Sequence, residues 1–138
     1  MQFEVIGAPA GKSRPKFSTI HGFPQALKAK NDVLYENLVK VSFLQEKGED
    51  YCLFDKAIKM QITAFFEIPK SFSKRKTLEA TEGLIYPQKK PDADNIAKII
   101  CDALNNVAYK DDTQIIQLTI IKKYALEPKV KVEIDEYK

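Results

Sequence analysis

Residues 89–114 read KKPDADNIAKIICDALNNVAYKDDTQ, and this stretch decides both the fold and where its chemistry should be sought. Asp92 and Asp94 stand where an apolar periodic run begins, the position at which acidic residues cap a helix and meet the positive end of its dipole. Ile96, Ile99, Ile100, Ala103 and Leu104 then recur at the spacing of an amphipathic helix with one buried face. Along the opposite edge come Asp94, Lys98 and Asp102, each one helical turn from the next and within side-chain reach of its neighbour. Asn105-Asn106 breaks the pattern, Val107-Ala108-Tyr109 reads as a short extended piece, and Asp111-Asp112 falls in a turn. If the helix folds back on the following strand, the two carboxylate pairs converge at its N-terminal end.

Downstream, Ile116, Leu118 and Ile120 alternate with Gln117 and Thr119, while Ile115 and Ile121 add apolar residues on the other face, so this strand is expected to be covered on both sides. Val130, Val132 and Ile134 alternate with charged residues after the turn Glu127-Pro128, and the two strands are expected to form a hairpin. Upstream, Ile58, Met60, Ile62, Ala64, Phe66 and Ile68 mark a half-buried strand. Before it, no Pro or Gly interrupts residues 25–46, and Leu27, Leu34, Leu38 and Val41, flanked by Tyr35 and Phe43, form the stripe of a long helix that Gly48 ends. Phe3 and Val5 belong to a short first strand, and GAPAGKSRPKFSTIHGFP is a loop. PKSFSKRKTLEATEGLIYPQKKP has helical potential around Ser73 to Glu82 but no apolar stripe, and reads as mostly irregular. The order strand, long helix, strand, helix, strand, strand describes an α+β fold, a small mixed β-sheet with a long N-terminal helix and a central active-site helix, in one domain over residues 1–138.

Composition narrows the function. At 44% hydrophobic and 30% charged residues the chain is neither a disordered tail nor a membrane protein. The N-terminus has no basic-then-apolar signal pattern, so a cytoplasmic location is expected. Cys52 and Cys101 lack metal-ligand spacing and read as free thiols, and the lone His21, in a loop, cannot by itself build a histidine-based zinc site. The net charge of +3 is modest but unevenly spread. Lys70, Lys74, Arg75, Lys76, Lys89 and Lys90 outweigh Glu79 and Glu82, and Lys12, Arg14, Lys16, Lys28 and Lys30 face only Glu4 among the first thirty residues. Both windows are candidate phosphate contacts, with Phe17 placed either to stack on a base or to tuck into the core.

Aspartates clustered without histidine or cysteine suit a hard divalent ion, magnesium or manganese, that holds a phosphate and lowers the pKa of a bound water. Taken singly, each residue has a plainer explanation. Asp92 and Asp94 would cap the helix, and Lys98 would salt-bridge Asp94 or Asp102. Aspartyl phosphatases and glycosyltransferases also use D-x-D, but here the pair follows Lys89-Lys90-Pro91 and opens a helix, and the basic surroundings fit nuclease chemistry best.

The run KPDADNIAKIICDALNNVAYKDDTQI resembles the signature of the RusA family of Holliday-junction resolvases, endonucleases found widely in phages and prophages. Its pattern is K-P-D-x-D-N, a helix ending D-A-L-N, and A-Y-x-D-D-x-Q-[IV]. GKSRPKF is similar to the family's basic G-K-x-R-P-R-F loop, departing at Ser13 and Lys16, and KKYALEPKVKVEI is similar to its closing strand pair. The resemblance implies a homodimer that nicks two strands of a four-way DNA junction symmetrically, using Mg2+ or Mn2+. It implies Asp92, Asp94 and Asp112 as metal-binding catalytic carboxylates and Lys98 as the catalytic lysine. Asp111 is the less certain member of its pair, while Asn95 and Asp102 support the site or the helix. Lys12, Arg14, Lys16, Lys89 and Lys90 supply charge for DNA. Two rivals stay open: a non-catalytic branched-DNA-binding phage accessory protein, and a metal-dependent hydrolase of small phosphate esters.

Overall fold

A computed structural model describes residues 1–13, 22–48 and 50–138, with side chains described from Ala29 onward in the first helix. The elements are β1 (Gln2–Ile6), α1 (Gly22–Lys47), β2 (Ile58–Glu67), α2 (Lys74–Thr81), α3 (Ala93–Leu104), a 3-10 turn (Asp112–Gln114), β3 (Ile115–Ala125) and β4 (Lys129–Glu136). The architecture is α+β, as expected. Four strands form one mixed sheet in the order β1-β4-β2-β3, antiparallel except for the parallel pair β2–β3. A parallel pair needs a long crossover, and here α2 and α3 supply it.

Period-two alternation places Phe3, Val5, Ile58, Met60, Ile62, Ala64, Phe66, Val130, Val132 and Ile134 on one buried face. Val39 and Phe43 of α1 and Ile96, Ile99, Ile100, Ala103 and Leu104 of α3 close over that face. The whole apolar stripe expected of α3 is therefore in the core, at about 1.5–3 kcal/mol for each large side chain removed from water. The helix's opposite edge is thereby fixed towards solvent.

Three expectations need correction. First, β3 and β4 are not hairpin partners, although only three residues join them, because β2 lies between and pairs with both. The link passes over the end of β2, where Ile68 N–H donates to the Ala125 carbonyl at 3.1 Å. Val130, Val132 and Ile134 are all fully buried between β1 and β2, whereas β3 exposes Ile116 and Leu118 at the sheet edge. Second, β3 is an edge strand rather than one covered on both sides, and Ile116 and Leu118 are exposed. Third, α1 packs on the sheet through Val39 and Phe43, whereas Leu34, Leu38 and Val41 face outward.

The segment after β2 also holds more structure than its missing apolar stripe suggested. The Ser73 hydroxyl caps α2 by accepting from Lys76 N–H at 3.1 Å. Gly83, at φ 76°, ends it in the left-handed conformation that glycine adopts without a Cβ penalty. Among the described residues no helix is long and apolar enough to cross a membrane.

Candidate active site

Residues from four places meet along the outer edge of α3. Asp92 occupies the N-cap position with extended backbone, but its side chain makes no capping hydrogen bond. The cheap explanation of this residue therefore fails. Its carboxylate is exposed, as is that of Asp94 in the first turn. One turn on, Lys98 is half exposed, with its ammonium 3.4 Å from Asp102 Oδ2. The routine i, i+4 pair anticipated for Lys98 thus exists, with Asp102 as the partner.

The turn that carries Asp111 and Asp112 is bound back onto the helix by backbone and buried polar contacts. Val107 and Ala108 donate their N–H groups to the Leu104 carbonyl, at 3.0 and 2.9 Å. Asn106 adopts φ 61°, a left-handed conformation that asparagine tolerates. Tyr109, fully buried, donates its hydroxyl to the Cys101 carbonyl at 2.7 Å, and burial holds its phenol well above the ordinary range. Gln114 then fixes the turn itself. Its amide nitrogen donates to the carbonyls of Phe54 and Lys56, while its amide oxygen accepts from Lys110 and Asp111 N–H. Val107–Tyr109, expected to be extended, is instead a turn with isolated bridges to Phe54 and Asn105.

Held in this way, Asp112 sits in a surplus of negative charge. Burial raises its pKa first, then the hydrogen bond and charge of Asp111 and the charge of Asp102, with Lys98 opposing. Asp111 is lowered, chiefly by its hydrogen bond with Asp112. Beneath them the Cys101 thiol is pushed up to about 11 by burial and by the charge of Asp112, which makes it an inert core residue rather than a nucleophile.

The loop after β1 closes the other side. Gly11 lies so near α3 that a Cβ there would stand 2.8 Å from Pro91 Cβ and 3.0 Å from Asn95 Cβ. Lys12 N–H donates to the Asn95 carbonyl at 2.9 Å, and Ser13 donates from its N–H and hydroxyl to Asp32 of α1, at 3.0 and 2.5 Å. The Lys12 ammonium pairs with Glu36 of α1 and lies 3.4 Å from Asp102 Oδ2, the same oxygen that Lys98 approaches. Burial works against the charge on Lys12, but Glu36 and Asp102 outweigh it and raise its pKa.

Lys12, expected to contact DNA, is therefore engaged by carboxylates on two helices. Arg14, Lys16, Phe17 and His21 lie outside the described residues. Lys89 and Lys90 are exposed, and Lys90 shares a shallow hollow with Pro9, Pro91, Asp92 and Asn95. Sequence reasoning missed Asp32 and Glu36, whose role depends on a long-range meeting with the loop that no local spacing reveals.

Asp92, Asp94 and Asp112 offer only carboxylate oxygens, the donors that hard cations take, and a cation would relieve the crowding around Asp112. The set fits such an ion in kind but is not preassembled. Among the described residues no three acidic, histidine or cysteine side chains stand close enough to enclose one.

Two comparisons with known proteins bear on this site. The family model for Endodeoxyribonuclease RusA matches residues 7–135, nearly the whole chain. The uncharacterized protein YqaN of Bacillus subtilis (strain 168) is 33% identical over 138 residues, covering 99% of this chain and 96% of that protein.

Proposed function

The chain belongs to the RusA family of endodeoxyribonucleases, whose members resolve Holliday junctions, and we propose that it cuts branched DNA by divalent-metal-dependent phosphodiester hydrolysis. A homodimer makes paired symmetric nicks and leaves 5′-phosphate and 3′-hydroxyl ends. The observation that carries this reading is the meeting of Lys98, Asp102 and Asp112 on one edge of α3, below a helix start whose Asp92 is not used for capping.

In this reading Asp92, Asp94 and Asp112 hold Mg2+ or Mn2+, which when bound supplies a Lewis acid for the phosphate and a more acidic water. The chain's own residues do the rest. Lys98, tethered to Asp102 yet half exposed, has the freedom to donate to a phosphate oxygen and offset the charge that builds there during displacement. Asp102 orients that ammonium, and Lys12 with Glu36 keeps the first loop against the helix. Lys89 and Lys90 grip phosphates next to the cut, and Arg14 and Lys16 add to that grip.

Asp92→Asn and Lys98→Met test the assignment. Each is expected to reduce junction cleavage by at least about 100-fold, the scale for losing an electrostatic catalytic group, while junction binding in chelator stays within a few-fold of wild type. Cleavage at the normal rate in either variant would remove that residue from the mechanism.

A further inference from the structure

Beyond the start of α3 the surface carries lysines that form no ion pair with a described carboxylate, with Glu67 as the acid among them. The ammonium groups of Lys89 and Lys122 both lie over the ring of Phe66, 6.0 and 5.0 Å from its centroid. Lys122 also donates to the Lys89 carbonyl at 2.5 Å, which ties β3 to the segment leading into α3. Phe66 is paired in register with Tyr124. The Tyr124 ring meets Phe72 edge-on at 5.7 Å, and Lys76 lies 4.3 Å over Phe72. Two aromatic rings, Phe66 and Phe72, thus seat three lysines, and Tyr124 bridges the rings in a row that crosses β2 and β3 and reaches the first turn of α2.

Packing of aliphatic stems on aromatic rings would explain the seats but not the charge. Among the described residues, none of Lys70, Lys76, Lys89, Lys90 and Lys122 is ion-paired with a carboxylate, whereas the neighbouring Arg75 takes Glu79 at 3.3 Å. The first turn of α2 contains Lys74, Arg75 and Lys76 and no acid, the sign that a helix dipole disfavours at that end. Uncompensated like charge held in fixed positions calls for a polyanion.

The row is also joined to the site. The hollow beside Asp92 shares Pro9, Lys90 and Pro91 with a second hollow that Phe66 and Ile68 line together with Lys70, Lys89 and the exposed Glu67. The two adjoining hollows reach from Asp92 to Lys89 and Lys70, and Lys122 and Lys76 lie beyond them.

We propose that Lys70, Lys89, Lys122 and Lys76 form a track for the phosphate backbone of the DNA arm that leaves the scissile position, an inference that rests on the endonuclease reading above. Neither Lys122, contributed by the edge strand, nor the α2 turn belongs to the residues that the family motif marks. The aromatic seats fix Lys89, Lys122 and Lys76 in place, so the track holds an arm by position and charge without reading its bases.

The test is binding of a fluorescent four-way junction by the full chain, in chelator, across a salt series. Lys70→Gln/Lys76→Gln alters two exposed side chains, and a triple variant adds Lys122→Gln. The slope of log K against log salt should become shallower by about 0.9 for each phosphate that is no longer neutralised, so for each protomer by about 2 in the double variant and nearly 3 in the triple, and by twice that for a homodimer with both tracks on the junction. Trimming the junction arms should weaken wild-type binding towards that of the triple variant. The double variant, whose two side chains are both exposed, keeps the test valid if Lys122→Gln fails to fold. Wild-type binding with a steep slope that the double variant leaves unchanged overturns the track alone, whereas a wild-type chain that does not bind the junction overturns the endonuclease reading with it.

Discussion

Asp112 and Lys12 act on stability in opposite senses at one site. The folded pKa of Asp112 is raised, so its ionised form is disfavoured in the fold relative to the unfolded chain. The stability it contributes at low pH is lost as pH rises through its folded value, and at neutral pH its charge is a net cost. Asp112→Asn should therefore raise Tm in chelator at pH 7 and remove cleavage in magnesium. Added magnesium should raise the wild-type Tm more than that of the variant, and a lower Tm for the variant in chelator would contradict the crowding described. Lys12 works in the opposite sense. Its ammonium neutralises two partly buried carboxylates, Glu36 and Asp102. Lys12→Met leaves both without that partner and should destabilise by about 1–3 kcal/mol, a Tm loss of several degrees for a chain of this size. An unchanged Tm by thermal denaturation would reduce these pairs to surface contacts.

At the scale of elements, what was legible in the sequence depended on how local its cause was. The α3 stripe and the alternation of β2 and β4 are short-range patterns dictated by the core, and they appear where periodicity put them. The pairing of β3 was not legible, because a three-residue link permits a hairpin and only competition for the centre of the sheet rules it out. Asp92, Asp94, Lys98 and Asp112 could be named as candidates because the motif is contiguous around one helix, whereas Glu36 and Asp32 could not, because their partners lie on a distant loop. The outward stripe of α1 is a third case: its period was right, but no described residue covers it. Leu34, Leu38 and Val41 are 59%, 41% and 49% exposed, and we propose this face for the second copy of the homodimer, since two cuts on a two-fold junction call for two sites related by a two-fold axis. Leu34→Lys/Leu38→Lys should halve the mass measured by light scattering while leaving the far-UV dichroism of the fold intact. A wild-type chain already monomeric at working concentration, or a doubly substituted chain that stays dimeric, would move the interface elsewhere.

For the whole molecule, the helices lie on one face of the sheet and place the carboxylates on the outer edge of α3, with exposed lysines beside them. The net charge of +3 understates this arrangement, because lysines without an ion pair gather beside the carboxylates at the start of α3. That placement suits a protein that holds phosphates with lysines while presenting carboxylates to a cation at one phosphate. The central claim, that this chain cuts branched DNA at the α3 edge, is most directly tested by incubating a labelled four-way junction, beside linear duplex of the same sequence, with magnesium, with manganese and with chelator, and mapping the products on a denaturing gel. The account predicts paired nicks at symmetric positions in the junction, none in the duplex, and none in chelator. A junction that is bound but left intact with both metals, or a duplex cut as readily as the junction, would contradict it.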